Sequence, residues 1–278
     1  MKNQGVTGVL GSIGRFRTAL VLVGAVLGTA CASAPPQAEI PSAESYYRKG
    51  LEVLKGQRIL LFFRDTDYAL AIEMFREVID NYPYSDYSTL AELKIADVYF
   101  EQEHYEEAAE YYQDFVELHP THPQVPYSIY RNGLCSYEQM RAIDQDQTPT
   151  QEALAQFRVL LERYPHSEYT EDAQRLISVA EDHLSAHVRE IGDFYFAQGA
   201  YYGAAERYEE ALEDFPKHSE RDDTLYHLAV CYHHLKRDPD AAQLLSEIIS
   251  MDPRSDWADD AEDLLQDING AAKVDLRP

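Results

Sequence analysis

His183 and His187 stand four residues apart, with Glu190 nearby, a spacing that lets two ligands of a zinc ion share one helix face. The flanking positions are charged and no third group converges, so the pattern reads as a solvated helix face and no metal is expected. His233 and His234 adjoin a helix end, where a cation is favourable without any ligand. Cys135 and Cys231 share one register in two different repeats, too far apart for a disulfide, and read as small core residues. The chain has no Gly-rich phosphate loop, no His-Glu-x-x-His and no Cys-x-x-Cys. Carboxylate pairs such as Glu106-Glu107 and Asp259-Asp260 are what so acidic a composition produces in any case. No catalytic residue, cofactor or active site is expected.

The remaining cysteine, Cys31, has a different setting. Lys2, Arg15 and Arg17 form a basic opening, and Ala19–Leu27 is an apolar run of nine residues, too short to span a bilayer as a helix. Gly28-Thr29-Ala30 then precedes Cys31, which resembles a bacterial lipobox, with Gly28 where Leu is usual. Residues 1–30 are read as a signal peptide and 31–43 as a lipidated, Pro-rich tether containing Ala34-Pro35-Pro36-Gln37. An ordinary small-residue cut with Cys31 incidental is the other reading.

Charge sets the limits for the rest. The 278 residues carry 24 basic and 49 acidic side chains, a formal charge of −25. Without Lys2, Arg15 and Arg17 the balance becomes 21 against 49, or −28. Such a body repels phosphate, which argues against nucleic acid and against binding to anionic headgroups through its surface. Several acyl chains on Cys31, each buried CH2 contributing about 0.8 kcal/mol, supply membrane attachment without a basic patch. Hydrophobic residues at 45% with 21 tyrosines supply enough apolar surface for an ordered core.

The elements that carry these residues repeat. Five segments end at Pro83, Pro120, Pro165, Pro216 and Pro253. Twelve residues before each stands Ala71, Ala108, Ala153, Ala204 or Ala241. Eight before stand Phe75, Tyr112, Phe157, Tyr208 and Leu245; five before stand Val78, Phe115, Leu160, Ala211 and Ile248. Offsets of four and three trace one helix face. A preceding helix has small residues at its crossing, among them Ala96, Gly133, Gly192 and Ala229. This matches the tetratricopeptide (TPR) helix-turn-helix, so the fold class is all-α, a solenoid of five repeats over 44–270. Three additions are expected: a stretch at Lys55–Arg64, a polar inter-helix loop around Arg141–Pro149, and a long helix from Glu171 to Arg189. Residues 255–268 are assigned to a terminal capping helix, and 271–278 to a tail.

Asn81-Tyr82-Pro83-Tyr84-Ser85, Pro120-Thr121-His122-Pro123 running to Gly133-Leu134, and Arg163-Tyr164-Pro165-His166-Ser167 resemble the BamD family of outer-membrane lipoproteins, from Tyr46 to about Ile268. The resemblance implies a non-catalytic scaffold of the β-barrel assembly (BAM) complex, lipid-anchored at the outer membrane of a Gram-negative bacterium and facing the periplasm. It implies C-terminal repeats binding a POTRA domain of BamA, N-terminal repeats binding unfolded barrel precursors, and other BAM lipoproteins as partners. Arg207 matches a family Arg on the BamA side; its fork-shaped donor suits a carboxylate, and an intrahelical pair with Glu210 or Glu206 is the competing reading. Tyr82, Tyr84 and Tyr87 are assigned to the rim of the precursor groove, against the reading that Tyr82 merely caps its own core. Another lipidated TPR adaptor, organising cell-envelope or peptidoglycan complexes, is the alternative function.

Overall fold

The computed structural model describes residues 41–60, 63–251 and 255–275, so the signal, Cys31 and most of the tether lie outside the described residues. Helices α1 (Ala43–Leu54), α2 (Tyr68–Asn81), α3 (Asp86–Glu101), α4 (Tyr105–Leu118), α5 (Val125–Tyr137), α6 (Thr148–Arg163), α7 (Thr170–Ala197), α8 (Tyr201–Asp214), α9 (Arg221–His234), α10 (Asp238–Met251) and α11 (Ala258–Asp275) follow in order. Each packs on the next, the neighbour-to-neighbour contact of a TPR solenoid.

The second helices of the first four pairs stop by one rule. Tyr82, His119, Tyr164 and Phe215 each precede a proline, which bars them from the helical region. They take φ between −135° and −125° and ψ between 50° and 64°. Each still donates its N–H to the carbonyl four residues back, at Val78, Phe115, Leu160 and Ala211. The alanine, aromatic or leucine, and third apolar residues of the repeat register are all buried. On the preceding helices, a Cβ at Gly133 would stand 2.6 Å from the Phe157 ring, and one at Gly192 2.8 Å from Tyr208. Gly50 makes the same approach to Phe75, at 2.7 Å, and completes the small-residue register in the first repeat.

The addition expected at Lys55–Arg64 is a pair of strands: Gln57–Leu60 (β1) and Phe63–Asp65 (β2) pair antiparallel, beside helices elsewhere among the described residues, and two boundaries differ from expectation. Gly56, at φ 66°, ends α1, and the run Ile59–Phe63 is apolar and partly β-branched or aromatic, which favours strand over helix. Thr148 and Pro149 belong to α6, with Pro149 in its first turn. Helix α11 continues to Asp275, beyond the expected end of the cap.

The long helix is a single element of 28 residues, and it divides the core. One buried cluster joins α1 to α3, a second α3 to α7, and a third α8 to α11. Along the middle of α7 only Leu154, Ala180 and Leu184 form a buried cluster, backed by Ile177 and Phe215. Four extra turns set the flanking repeats apart, and apolar side chains fill little of the gap.

Candidate functional site

The three tyrosines of the first inter-repeat turn have different surroundings. The Tyr82 hydroxyl donates to the Pro41 carbonyl, and its ring packs against the first core cluster. Tyr87, in the first turn of α3, packs on Tyr47 with ring centroids 5.5 Å apart. Tyr84, beside Pro83 where no helix holds it, is 101% exposed. Two of the three therefore anchor the turn and one is presented to solvent. Between α2, α3 and α4 an apolar cavity of about 300 Å³ is lined by Ile79, Ile95, Phe115 and Leu118, with Arg76 and Tyr111 at its polar edge. The Tyr111 hydrogen bond raises the Arg76 pKa, outweighing its desolvation.

A closed polar network joins α3, α4 and α5. Asp97 follows the small residue Ala96 on α3 and is buried. Its Oδ1 accepts from the hydroxyls of Tyr112 and Tyr127, both at 2.6 Å, and its Oδ2 pairs with Lys94 at 2.6 Å. Arg131 donates to the Tyr112 oxygen at 3.0 Å and lies 3.8 Å from the Phe100 ring centroid. Burial, then the Asp97 charge, pushes the Tyr112 and Tyr127 hydroxyls well above the ordinary phenol range. These hydroxyls stay protonated as donors, and the arrangement is structural.

Arg207 on α8 pairs with Glu210 at 2.5 Å, each side chain 37% exposed, so the intrahelical pair is formed. At the α7–α8 corner Phe194, Tyr195 and Tyr202 are exposed. Cys135 and Cys231 are free and buried, and burial pushes both thiols up to about 12, which leaves them inert as nucleophiles. Among the described residues no group of three His, Cys, Asp or Glu side chains is placed to hold a metal ion.

The middle of α7 carries the groups whose roles the sequence did not reveal. His183 Nε2 donates to the Arg141 carbonyl at 2.7 Å, and His187 Nδ1 to the Ile143 carbonyl. The histidine pair is thus neither a ligand set nor a free solvated face: it clasps the loop between α5 and α6 to α7. Gln147 locks the same loop from within, donating to the Ala142 and Gln145 carbonyls at 2.8 and 3.1 Å. Two residues after His187, Arg189 reaches the α8–α9 turn and α9, pairing with Glu220 and Asp223. On α7, Asp182 accepts the Ser219 N–H at 2.7 Å, a second tie to that turn. The His227 hydrogen bond to Asp223 raises the imidazole pKa; burial works against ionisation of Asp223, but His227 and Arg189 more than offset it and its pKa falls. The sequence showed a histidine pair and, separately, a polar insert around Arg141–Pro149; nothing linked the two, and nothing marked Arg189.

The family described as "YfiO: Outer membrane lipoprotein" matches residues 55–243. A relative from Caulobacter vibrioides, named outer membrane protein assembly factor BamD, is 30% identical over 208 residues, which cover 75% of this chain and 66% of that protein. A protein of the same name from Rickettsia prowazekii is 25% identical over 243 residues, 87% of this chain and 93% of that one. Among solved structures, a TPR repeats protein from Bacteroides fragilis is 12% identical with a TM-score of 0.45, covering 84% of this chain and all of that one.

Proposed function

The chain belongs to the YfiO family of outer membrane lipoproteins, and we propose that it serves as a non-catalytic assembly factor for outer-membrane β-barrel proteins. The observation that carries this reading is the family match across the repeats, 55–243, together with relatives named for that role over most of the chain. In this reading Cys31 carries the lipid and holds the solenoid at the periplasmic face of the outer membrane. The C-terminal repeats bind a POTRA domain of BamA, and further BAM lipoproteins join the same complex. The N-terminal repeats receive unfolded barrel precursors.

Local chemistry supports the division. Tyr84 offers a rigid, fully exposed aromatic with a hydroxyl, suited to extended peptides with aromatic ends. The apolar cavity between α2 and α4 lies in the same repeats. Arg207 is a part-exposed cation whose pair with Glu210 is exchangeable at the surface for a partner's carboxylate. The test is affinity capture of the lipidated chain from detergent-solubilised membranes. BamA is expected among the recovered proteins and is expected to fall with Arg207→Glu; recovery of envelope proteins without BamA overturns the proposal. Cys31→Ala is expected to move the chain from the membrane pellet to the soluble fraction.

A further inference from the structure

Among the described residues, three buried side-chain atoms lack a hydrogen-bond partner: Ser185 Oγ, Arg189 Nε and His218 Nδ1. All three residues line one cavity of about 290 Å³ between the middle of α7 and the α8–α9 turn. An unsatisfied buried polar atom costs about 1–3 kcal/mol, so three around one cavity constitute a concentrated deficit. Ser185 and His218 are 1% and 5% exposed, and the Arg189 side chain 12%. The cavity lies where the extended α7 faces the turn between the fourth and fifth repeats, along a stretch with few buried apolar side chains.

The hydrogen-bond directions define what these atoms ask for. The Thr224 hydroxyl donates its single proton to the Glu220 carbonyl at 3.0 Å. Its oxygen therefore accepts from His218 Nε2, 3.0 Å away. Burial, then the Arg189 charge, lowers the His218 pKa and keeps the ring neutral, so Nδ1 holds a lone pair and is an acceptor. Arg189 uses one N–H of each terminal nitrogen for Glu220 and Asp223, and its buried Nε–H has no partner. Ser185 on the same helix face, one turn before Arg189, supplies a hydroxyl that donates or accepts.

We infer that this cavity is a binding site for an uncharged carboxamide, whose oxygen accepts from Arg189 Nε and Ser185 Oγ and whose NH2 donates to His218 Nδ1. Net charge makes the choice between amide and ion. A carboxylate brought here meets the His218 lone pair and the acidic Asp182 and Glu220 on the same wall; an ammonium meets Arg189. A carboxamide carries one acceptor and two donors on adjacent atoms and no charge. The three atoms are shielded from bulk solvent, so entry needs small side-chain rotations at the mouth, and a site of this kind rejects ligands that leave its buried groups unpaired. The site is independent of the assembly role and stands or falls on its own geometry.

The test uses the full mature chain in detergent, labelled with ¹⁵N-histidine, titrated with propionamide, propionate and propylammonium as matched probes. The unprotonated ring nitrogen of His218 is expected to be Nδ1 and to shift saturably with propionamide, with at least ~10-fold weaker response to either ion. Ser185→Ala, a change well tolerated inside a helix, is expected to weaken the propionamide response about 3- to 10-fold. The inference is overturned if Nδ1 proves protonated, if no probe moves His218 so that the cavity holds water only, if an ion matches the amide, or if Ser185→Ala titrates like the unaltered chain.

Discussion

The two halves of the solenoid bury a charge in opposite ways. In the N-terminal half Asp97 is surrounded by donors: two tyrosine hydroxyls and Lys94 occupy both of its oxygens. In the C-terminal half Arg189 has carboxylates on its terminal nitrogens and nothing on Nε, with a cavity at its flank. The first network lies between helices of ordinary repeat length, whose aromatic rings meet. The second lies where α7 is four turns too long for its neighbours to close over it. A repeat extended by whole turns keeps its register yet loses its filling, and the polar groups then exposed to the gap are the ones left unpaired.

Removing each central charge is the strongest way to break that contrast. Asp97→Ala leaves two buried hydroxyls and an ammonium without their acceptor and is expected to cost about 3–5 kcal/mol in equilibrium urea unfolding. Arg189→Met is expected to cost only about 1–2 kcal/mol, because Glu220 is 62% exposed and rehydrates, Asp223 keeps His227 as its partner, and the unpaired Nε disappears. Equal losses would show that Arg189 is as fully integrated as Asp97 and that the difference between the halves is one of shape alone.

Where the halves agree, they agree in the small-residue register. Gly133→Ala drives a Cβ into the Phe157 ring, and Gly192→Ala into Tyr208. Overpacking costs about 1–3 kcal/mol and the gain in helix propensity returns about 1, so each variant is expected to lose up to about 2 kcal/mol. If Gly192→Ala were neutral while Gly133→Ala was not, the slack around Arg189 would extend to the helix crossing itself, and the comparison would sharpen.

This register is the part of the fold that residue spacing made legible. The fifteen positions counted back from the five prolines are all buried, because pre-proline geometry and helical period are local and act through neighbours in sequence. Gly50 escaped because the hairpin separates it from Ala71 by more than the repeat spacing, and a periodicity cannot be followed across an inserted element of another period. Tyr82, Tyr84 and Tyr87 look alike in sequence; which one is free depends on Pro41 and Tyr47, some forty residues away. The clasp of His183 and His187 on Arg141 and Ile143 likewise joins residues forty-two and forty-four positions apart, and no motif announces a carbonyl as a partner. Family resemblance pointed to Arg207 and was silent about Arg189, whose setting beside a cavity only packing shows.

A smaller effect compares equivalent turns. Glu103 in the second repeat and Lys236 in the fifth adopt φ of 60° and 63°, where Gly199 stands at 71° in the fourth. A side chain in this left-handed region costs about 1–2 kcal/mol, part of which a glycine gives back through its greater unfolded-state entropy. Glu103→Gly and Lys236→Gly are each expected to stabilise by about 0.5–1 kcal/mol, raising the thermal midpoint slightly. Similar gains in both halves would place the difference between them in the core and not in the turns.

The weakest predicted effect, and the one confined to the C-terminal half, is pH dependence near neutrality. His227 has its folded pKa raised by the hydrogen bond to Asp223, so the folded state binds its proton more tightly than the unfolded chain. The stability it contributes is fully present below the ordinary value of 6.5 and is lost as pH rises through the folded pKa. His218 is shifted the other way by burial and Arg189; its contribution is present above 6.5 and is lost as pH falls from there toward its folded pKa. Urea midpoints measured from about pH 5 to pH 8 are therefore expected to change in opposite senses for the two substitutions. The penalty of His227→Gln grows as pH falls toward 6.5 and then levels, whereas the penalty of His218→Gln shrinks below 6.5. Slopes of one sign would mean that His218 is solvated and readily protonated in the folded chain, and the C-terminal network would then be as well satisfied as the one around Asp97.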